Sequence, residues 1–158
     1  FDLLSNLPGN YKLVNDQLLE STATYGEIDI LLVTDFRIFV IEVKTYNAYV
    51  VVDDYWTYKG QNPNNLKLVD WCNLCQVEKS ARHLYEHLYY LLPDGNPNYI
   101  VPILVYTQGN ISVETKQYPV CILDELKYTL SSQKPLAYRI NFNEIIKYIE
   151  VKLNGKVV

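Results

Sequence analysis

Residues 26–44 read GEIDILLVTDFRIFVIEVK, two apolar runs on either side of Thr34-Asp35-Phe36-Arg37. Runs dense in Ile, Leu, Val and Phe, without polar alternation, are the pattern of strands buried on both faces. Such strands should hold almost no ionisable groups, because an unpaired buried charge is very costly. Yet Asp29 interrupts the first run, and Glu42 and Lys44 interrupt the second. Something must compensate them. Glu42 and Lys44 stand two apart, so in a strand they share a face. If residues 34–37 form a hairpin connection, Asp29 falls directly opposite Glu42, with Cβ atoms about 4.5–5.5 Å apart. Two carboxylates that close repel unless a proton or a divalent cation lies between them. A slip of one residue would turn Asp29 to the other face.

Two convergent carboxylates with few other ligands suit Mg²⁺ or Mn²⁺, hard ions that prefer oxygen and keep several waters. The main-chain carbonyl of Val43 offers a further oxygen. A lysine alongside would orient an attacking water or neutralise charge on a phosphorane-like transition state. The parts of a phosphodiester hydrolase are therefore present. The bland alternative is a same-face Glu42–Lys44 ion pair near a strand end, with Asp29 at a sheet margin.

Around this hairpin the patterning predicts an α/β chain. Residues 2–7 read as the tail of a helix ended by Pro8-Gly9. Strands follow over 11–19, 27–33, 36–43 and 48–52, with 21–26 as a turn-rich link and a Trp56/Tyr58 segment pairing to the last strand. Residues 60–65, GQNPNN, are a loop. The longest helical pattern covers 66–92, where Leu74, Val77, Ala81, Leu84, Leu88 and Leu91 form one buried stripe, and Pro93-Asp94-Gly95 stops it. A strand over 100–107 has Pro102 pushing its start toward an edge, and a short strand follows at 120–123. Asp124 caps a helix through Leu130, and Asn141 or Asn143 caps one through Leu153. The order gives a mixed central sheet flanked by helices. With no repeat, linker or low-complexity segment, 1–158 reads as one domain. Phe1 is no initiator and the chain has no Met, which fits a fragment or processed form lacking the start of its first helix.

Hydrophobic residues at 49% and charged residues at 20% are ordinary for a soluble globular protein. No segment reaches the ~18–20 apolar residues of a membrane span. The formal charge of −4 withholds the basic footprint expected of a nucleic-acid partner. A bound cation and a local group such as Lys59, Lys79 and Arg82 could compensate. Fifteen tyrosines suit strands, and can also stack bases. Three cysteines without a secretion signal suggest a reducing, cytoplasmic setting. Cys72-x-x-Cys75 lies within the helical pattern and reads as structural packing rather than redox or zinc chemistry, since no second pair completes a zinc site.

Asp29, followed after an interval by Ile41-Glu42-Val43-Lys44, resembles the D…(D/E)xK signature of the restriction-endonuclease-like superfamily. Within it the chain is most similar to the nuclease-related domain (NERD). Supporting residues are Leu7-Pro8-Gly9 and Tyr11, Ile28-Asp29, Trp56, Asn62-Pro63 and Gln76, so the likeness covers about residues 3–92. The resemblance implies a metal-dependent endonuclease or nickase acting on DNA, with Asp29 and Glu42 as Mg²⁺ or Mn²⁺ ligands, Lys44 as the catalytic lysine and Gln76 reaching the same site. Gln76, Lys79, Ser80 and His83 share one helix face by spacing. Glu27, close to Asp29 in the strand, reads as an accessory acid, and His83 and His87 read as helix-surface or interface residues. The family's glutamate on the first helix has no match here, and Asn62-Pro63 stands farther from Gln76 than is usual. The alternative is a catalytically inactive relative acting as a nucleic-acid- or protein-binding module. Other domains of a longer chain and a second copy of this one stay open as partners.

Overall fold

The computed structural model of the protein describes residues 9–20, 25–69, 71–153 and 156–157, the side chains of 15–20, 25–27, 156 and 157 excepted. In chain order the strands are β1 (Tyr11–Glu20), β2 (Tyr25–Thr34), β3 (Ile38–Lys44), β4 (Tyr49–Val52), β5 (Thr57–Gly60), β6 (Leu66–Leu68), β7 (Ile100–Tyr106), β8 (Asn110–Val113), β9 (Val120–Ile122) and β10 (Lys156–Val157). The helices are α1 (Asn73–Leu88), α2 (Leu126–Ser131) and α3 (Phe142–Lys152). They build two sheets, ordered β10-β1-β2-β3-β7-β9 and β6-β5-β4-β8. The β3–β7, β7–β9 and β4–β8 pairs are parallel and the other pairs antiparallel, so the sheets are mixed.

The turn at residues 34–37 closes as its spacing requires. The Thr34 amide donates to the Arg37 carbonyl at 2.9 Å, and the Thr34 hydroxyl accepts from the Arg37 amide at 3.0 Å. Arg37 ties the turn to the rest of the fold through the carbonyls of Asn98 and Lys134. The unbroken apolar character of β2 and β3 follows from burial on both sides. Leu31, Val33, Ile38 and Val40 pack with Leu74, Val77, Leu84 and Leu88 of α1 and with Ile145 and Ile149 of α3. Leu32, Phe39 and Ile41 pack on the opposite face with Leu126 and Leu130 of α2.

The helical pattern over 66–92 divides. Leu66-Lys67-Leu68 pairs with β5 as a hairpin, because Gly60 lets the chain double back: a Cβ there would run into the Asn65 carbonyl. Beyond Leu88 the backbone tightens into separate 3₁₀ turns at Tyr89–Leu91, Pro93–Gly95 and Pro97–Tyr99, so Pro93-Asp94-Gly95 lies past the end of α1. Of the expected stripe, Leu74, Val77, Ala81, Leu84 and Leu88 are buried and Leu91 is half-buried.

Pro102 sits inside β7, paired with Val40. It is tolerated because β9 joins β7 only from Leu104 onward, so no strand needs an N–H from Pro102 on that side. Asp124 lies in a 3₁₀ turn and caps nothing, whereas Asn141 caps α3 by accepting from the Glu144 amide at 3.3 Å. Tyr25 and Gly26, expected in a link, already belong to β2. The helix tail expected over 2–7 lies outside the described residues. No helix among the described residues is long and apolar enough to cross a membrane.

Candidate active site

Side-chain alternation along β2 puts Asp29 on the face of Leu31 and Val33. The same rule along β3 puts Glu42 and Lys44 on the face of Ile38 and Val40. Both faces look toward α1. The β2–β3 ladder runs from Val33 opposite Ile38 to Ile30 opposite Ile41, and continuing that register sets Asp29 opposite Glu42. At that point a side chain enters the ladder: the Val43 amide donates to Asp29 Oδ2 at 2.8 Å.

Glu42 is buried, at 6% exposure. Its Oε1 lies 3.1 Å from Lys44 Nζ, which also donates to Gln76 Oε1 at 2.9 Å. Gln76 is an exposed residue in the first turns of α1, yet its amide oxygen reaches across to β3. The structure thus brings Glu42, Lys44 and Gln76 into direct contact, with Asp29 bonded to the backbone between the first two. An ion pair with one partner this buried is not the loose surface kind, since breaking it would strand a carboxylate away from water.

The start of α1 is held by contacts that the residue pattern does not announce. Cys72 is its N-cap, with Sγ accepting from the Cys75 amide at 3.1 Å. Cys72 and Cys75 are joined as a disulfide, so the pair is not two packed thiols; Cys72 precedes α1 and Cys75 lies in its first turn. Asn73, fully buried, receives a tight set of partners: its amide donates to Thr57 Oγ1 at 3.2 Å and its Nδ2 to the Tyr106 hydroxyl at 2.9 Å. The Tyr46 hydroxyl donates to Asn73 Oδ1 at 3.4 Å. Burial pushes the Tyr106 phenol up to about 12, partly opposed by the Asn73 bond. This network ties α1 to β5, β7 and the segment after Lys44, and so fixes where Gln76 stands. Tyr46 continues the two-residue step of Glu42 and Lys44, the one signal of it in the sequence.

Other nominated residues fall elsewhere. Glu27's side chain is outside the described residues. Ser80 is buried and bonds the Gln76 carbonyl at 3.2 Å, while Lys79 is exposed. His83 and His87 are half-buried on α1, and His83 Nδ1 has no hydrogen-bond partner among the described residues. Arg82 pairs with Glu78 one turn away, and Lys59 lies 4.6 Å over the Tyr46 ring. Asn62 serves the β5–β6 turn, accepting from the Asn64 amide at 3.0 Å. Cys121 is a free, buried thiol whose pKa burial raises.

A mixed sheet that carries two carboxylates and a lysine on adjoining strands, under a glutamine-bearing helix, is an α/β domain of the restriction-endonuclease-like type. The sequence model of the nuclease-related domain matches residues 1–107, well over half of the chain, and the chain belongs to that family. That family supports a nuclease-related role and, with it, dealings with nucleic acid. Neither the curated proteins nor the solved structures compared with it give a match.

Proposed function

We propose that the protein is a Mg²⁺- or Mn²⁺-dependent DNA endonuclease or nickase that hydrolyses a phosphodiester at Asp29, Glu42 and Lys44. One observation carries this reading: a buried glutamate, a lysine and a helix-borne glutamine are in contact one residue from the backbone amide that Asp29 holds. An ion pair serving stability alone has no use for a third polar group from another element.

The donor chemistry fits the metal. Asp29, Glu42 and the Val43 carbonyl offer only hard oxygens, and no group of three or more His, Cys, Asp or Glu converges among the described residues. A site of two carboxylates leaves waters in place, as Mg²⁺ and Mn²⁺ prefer. When bound, such an ion would polarise the phosphate and lower the pKa of a water. The chain's own groups do the rest. Lys44 presents an ammonium to charge growing on the phosphoryl oxygens, and Gln76 acts through Lys44 by holding its Nζ. That same ammonium, 3.1 Å from Glu42 Oε1, offsets part of the cost of burying the carboxylate.

A second reading, a catalytically inactive relative that binds nucleic acid or protein, is favoured by the formal charge of −4 and by the absence of a third acid beside the pair among the described residues. Supercoiled plasmid separates the two. The intact chain with Mg²⁺ or Mn²⁺ is expected to nick it, while Asp29→Ala, Lys44→Ala and chelation each abolish nicking. Equal nicking by all three proteins removes the catalytic assignment.

A further inference from the structure

The only two tryptophans of the chain, Trp56 and Trp71, are 52% and 76% exposed, and Tyr55 next to Trp56 is 69% exposed. Three large aromatics left in water forgo the hydrophobic stabilisation that burial would bring, and exposed aromatics grouped on one part of a fold mark binding sites. Tyr55 and Trp56 are not loosely held. Asp53 Oδ1 accepts from the amides of Tyr55 and Trp56 at 2.9 and 2.6 Å, and the Asp53 amide donates to the Trp56 carbonyl at 3.1 Å, closing a tight turn. The Val69 amide donates to the Thr57 carbonyl at 2.8 Å, which carries the β5–β6 pairing past Tyr58 and Leu68 and brings the segment leading to Trp71 alongside that turn.

Two further features point to what covers the patch. First, Cys75 Sγ lies 3.9 Å from the Tyr55 carbonyl, and the next residue, Gln76, is the one bonded to Lys44. The Tyr55 backbone therefore lies against the first turn of α1, one residue from the glutamine of the candidate active site. Second, Lys59 and Lys67 are directly opposite each other across β5 and β6, and both are exposed. Like charges so placed destabilise a strand pair. Among the described residues neither is within ion-pair distance of an acid. Lys59 Nζ already lies over the Tyr46 ring, and its ammonium stays exposed. Aromatic faces beside exposed cations are the combination that holds single strands, bases by stacking and phosphates by charge. A duplex keeps its base faces against one another and offers none to a tryptophan.

We propose that the β5–β6 end of the second sheet is a docking surface for unpaired DNA, with Tyr55, Trp56 and Trp71 stacking nucleobases and Lys59 and Lys67 contacting the phosphates of the strand that enters the site. The proposal rests on the nuclease reading above and names its substrate class: single-stranded or locally opened DNA.

Because both tryptophans are assigned to this surface, tryptophan emission, excited selectively over the fifteen tyrosines, reports on it. The intact chain, in EDTA so that no cleavage intervenes, is titrated with a thymidine oligonucleotide of about 20 nucleotides, long enough for a typical single-strand site, and with a blunt duplex of the same length. Quenching of tryptophan emission by the single strand, with weaker binding to the duplex, is expected. By anisotropy, Trp56→Ala and Trp71→Ala each weaken single-strand binding about tenfold, while Trp→Phe retains most of it. Lys59→Gln and Lys67→Gln each flatten the salt dependence by about 0.7 in log–log slope. Circular dichroism checks that each variant folds. Binding without any emission change, equal affinity for the duplex, or a dimer that the Ala variants dissolve without DNA binding each overturns the surface. Quenching without plasmid nicking removes the nuclease reading and leaves this surface standing; nicking without quenching does the reverse.

Discussion

The amide of Val43 donates to Oδ2 of Asp29 at 2.8 Å, so the acid from one strand holds the backbone that carries the other acid. Asp29 thus has two duties, and substitutions can separate them.

Asp29→Asn keeps an oxygen for the Val43 amide and removes the charge. Its melting temperature should stay within a few degrees of the parent while plasmid nicking falls by about 10²-fold or more. Asp29→Ala should lose nicking to the same extent and also about 1–2 kcal/mol of stability, because the amide is left without its partner. Thermal melts run beside the nicking assay check both. Full nicking by the Asn variant would show that the carboxylate is structural.

Lys44→Ala leaves Glu42 buried without its ammonium, and stability should fall by about 3 kcal/mol at neutral pH. The double variant Glu42→Gln/Lys44→Ala should recover much of that loss, since the stranded charge is gone. Urea unfolding of the four proteins in the cycle measures the coupling. Additive losses would mean that the 3.1 Å contact carries no energy.

Gln76 touches only Lys44 in this site and is exposed, so Gln76→Ala should change stability by less than about 0.5 kcal/mol. Its effect belongs on turnover: kcat should fall about tenfold with KM nearly unchanged, as expected when an interaction matters only in the transition state. Gln76→Glu, which still accepts from Lys44, should restore part of the rate. An unaltered kcat in the Ala variant would show that Lys44 needs no such positioning.

Burial raises the Tyr106 phenol to about 12 in the fold, against 10.0 for the free group. A group whose folded pKa is raised lends stability that is complete below its unfolded pKa and lost as pH climbs toward the folded one. Stability should therefore be flat below about pH 10 and drop by on the order of 2 kcal/mol between 10 and 12. Tyr118 and Tyr148 are raised in the same direction, again chiefly by burial, so the difference between parent and Tyr106→Phe isolates the buried group. Urea midpoints across that pH range report it, and parallel curves would contradict the assignment.

Much of the site was legible because charges in doubly buried strands violate an expectation strong enough to demand a cause. Asp29, Glu42 and Lys44 stand out against Ile, Leu and Val, and the four residues of the turn set their register. Gln76 followed only from likeness to a family, since a glutamine on a helix is ordinary by itself. The Asn73 network stayed hidden because its partners, Thr57, Tyr46 and Tyr106, come from three distant segments. Leu66-Lys67-Leu68 reads as part of the helix because three residues cannot reveal a period of two, and β8, half-exposed and bound only through parallel pairing to β4, carries almost no pattern. The disulfide was illegible for another reason: spacing alone allows thiols, a metal or a bond.

The chain crosses between the sheets four times among the described elements, and two of the crossings run side by side. Residues 45–48 join β3 to β4 and residues 107–109 join β7 to β8, with the Thr107 amide on the Lys44 carbonyl at 3.0 Å. Gly109, at φ +94°, comes so near the Ala48 carbonyl that a Cβ would meet its oxygen at 3.0 Å. Parallel pairing therefore resumes on the far side, Tyr49 with Asn110, almost as it stopped at Lys44 with Tyr106. A double-stranded ribbon bent through both sheets is a strut and not a hinge. If a base is held at Trp56 and the bond cut lies beside Lys44, as proposed above, this strut makes the chain a caliper that would keep the number of nucleotides between them the same from one substrate to the next.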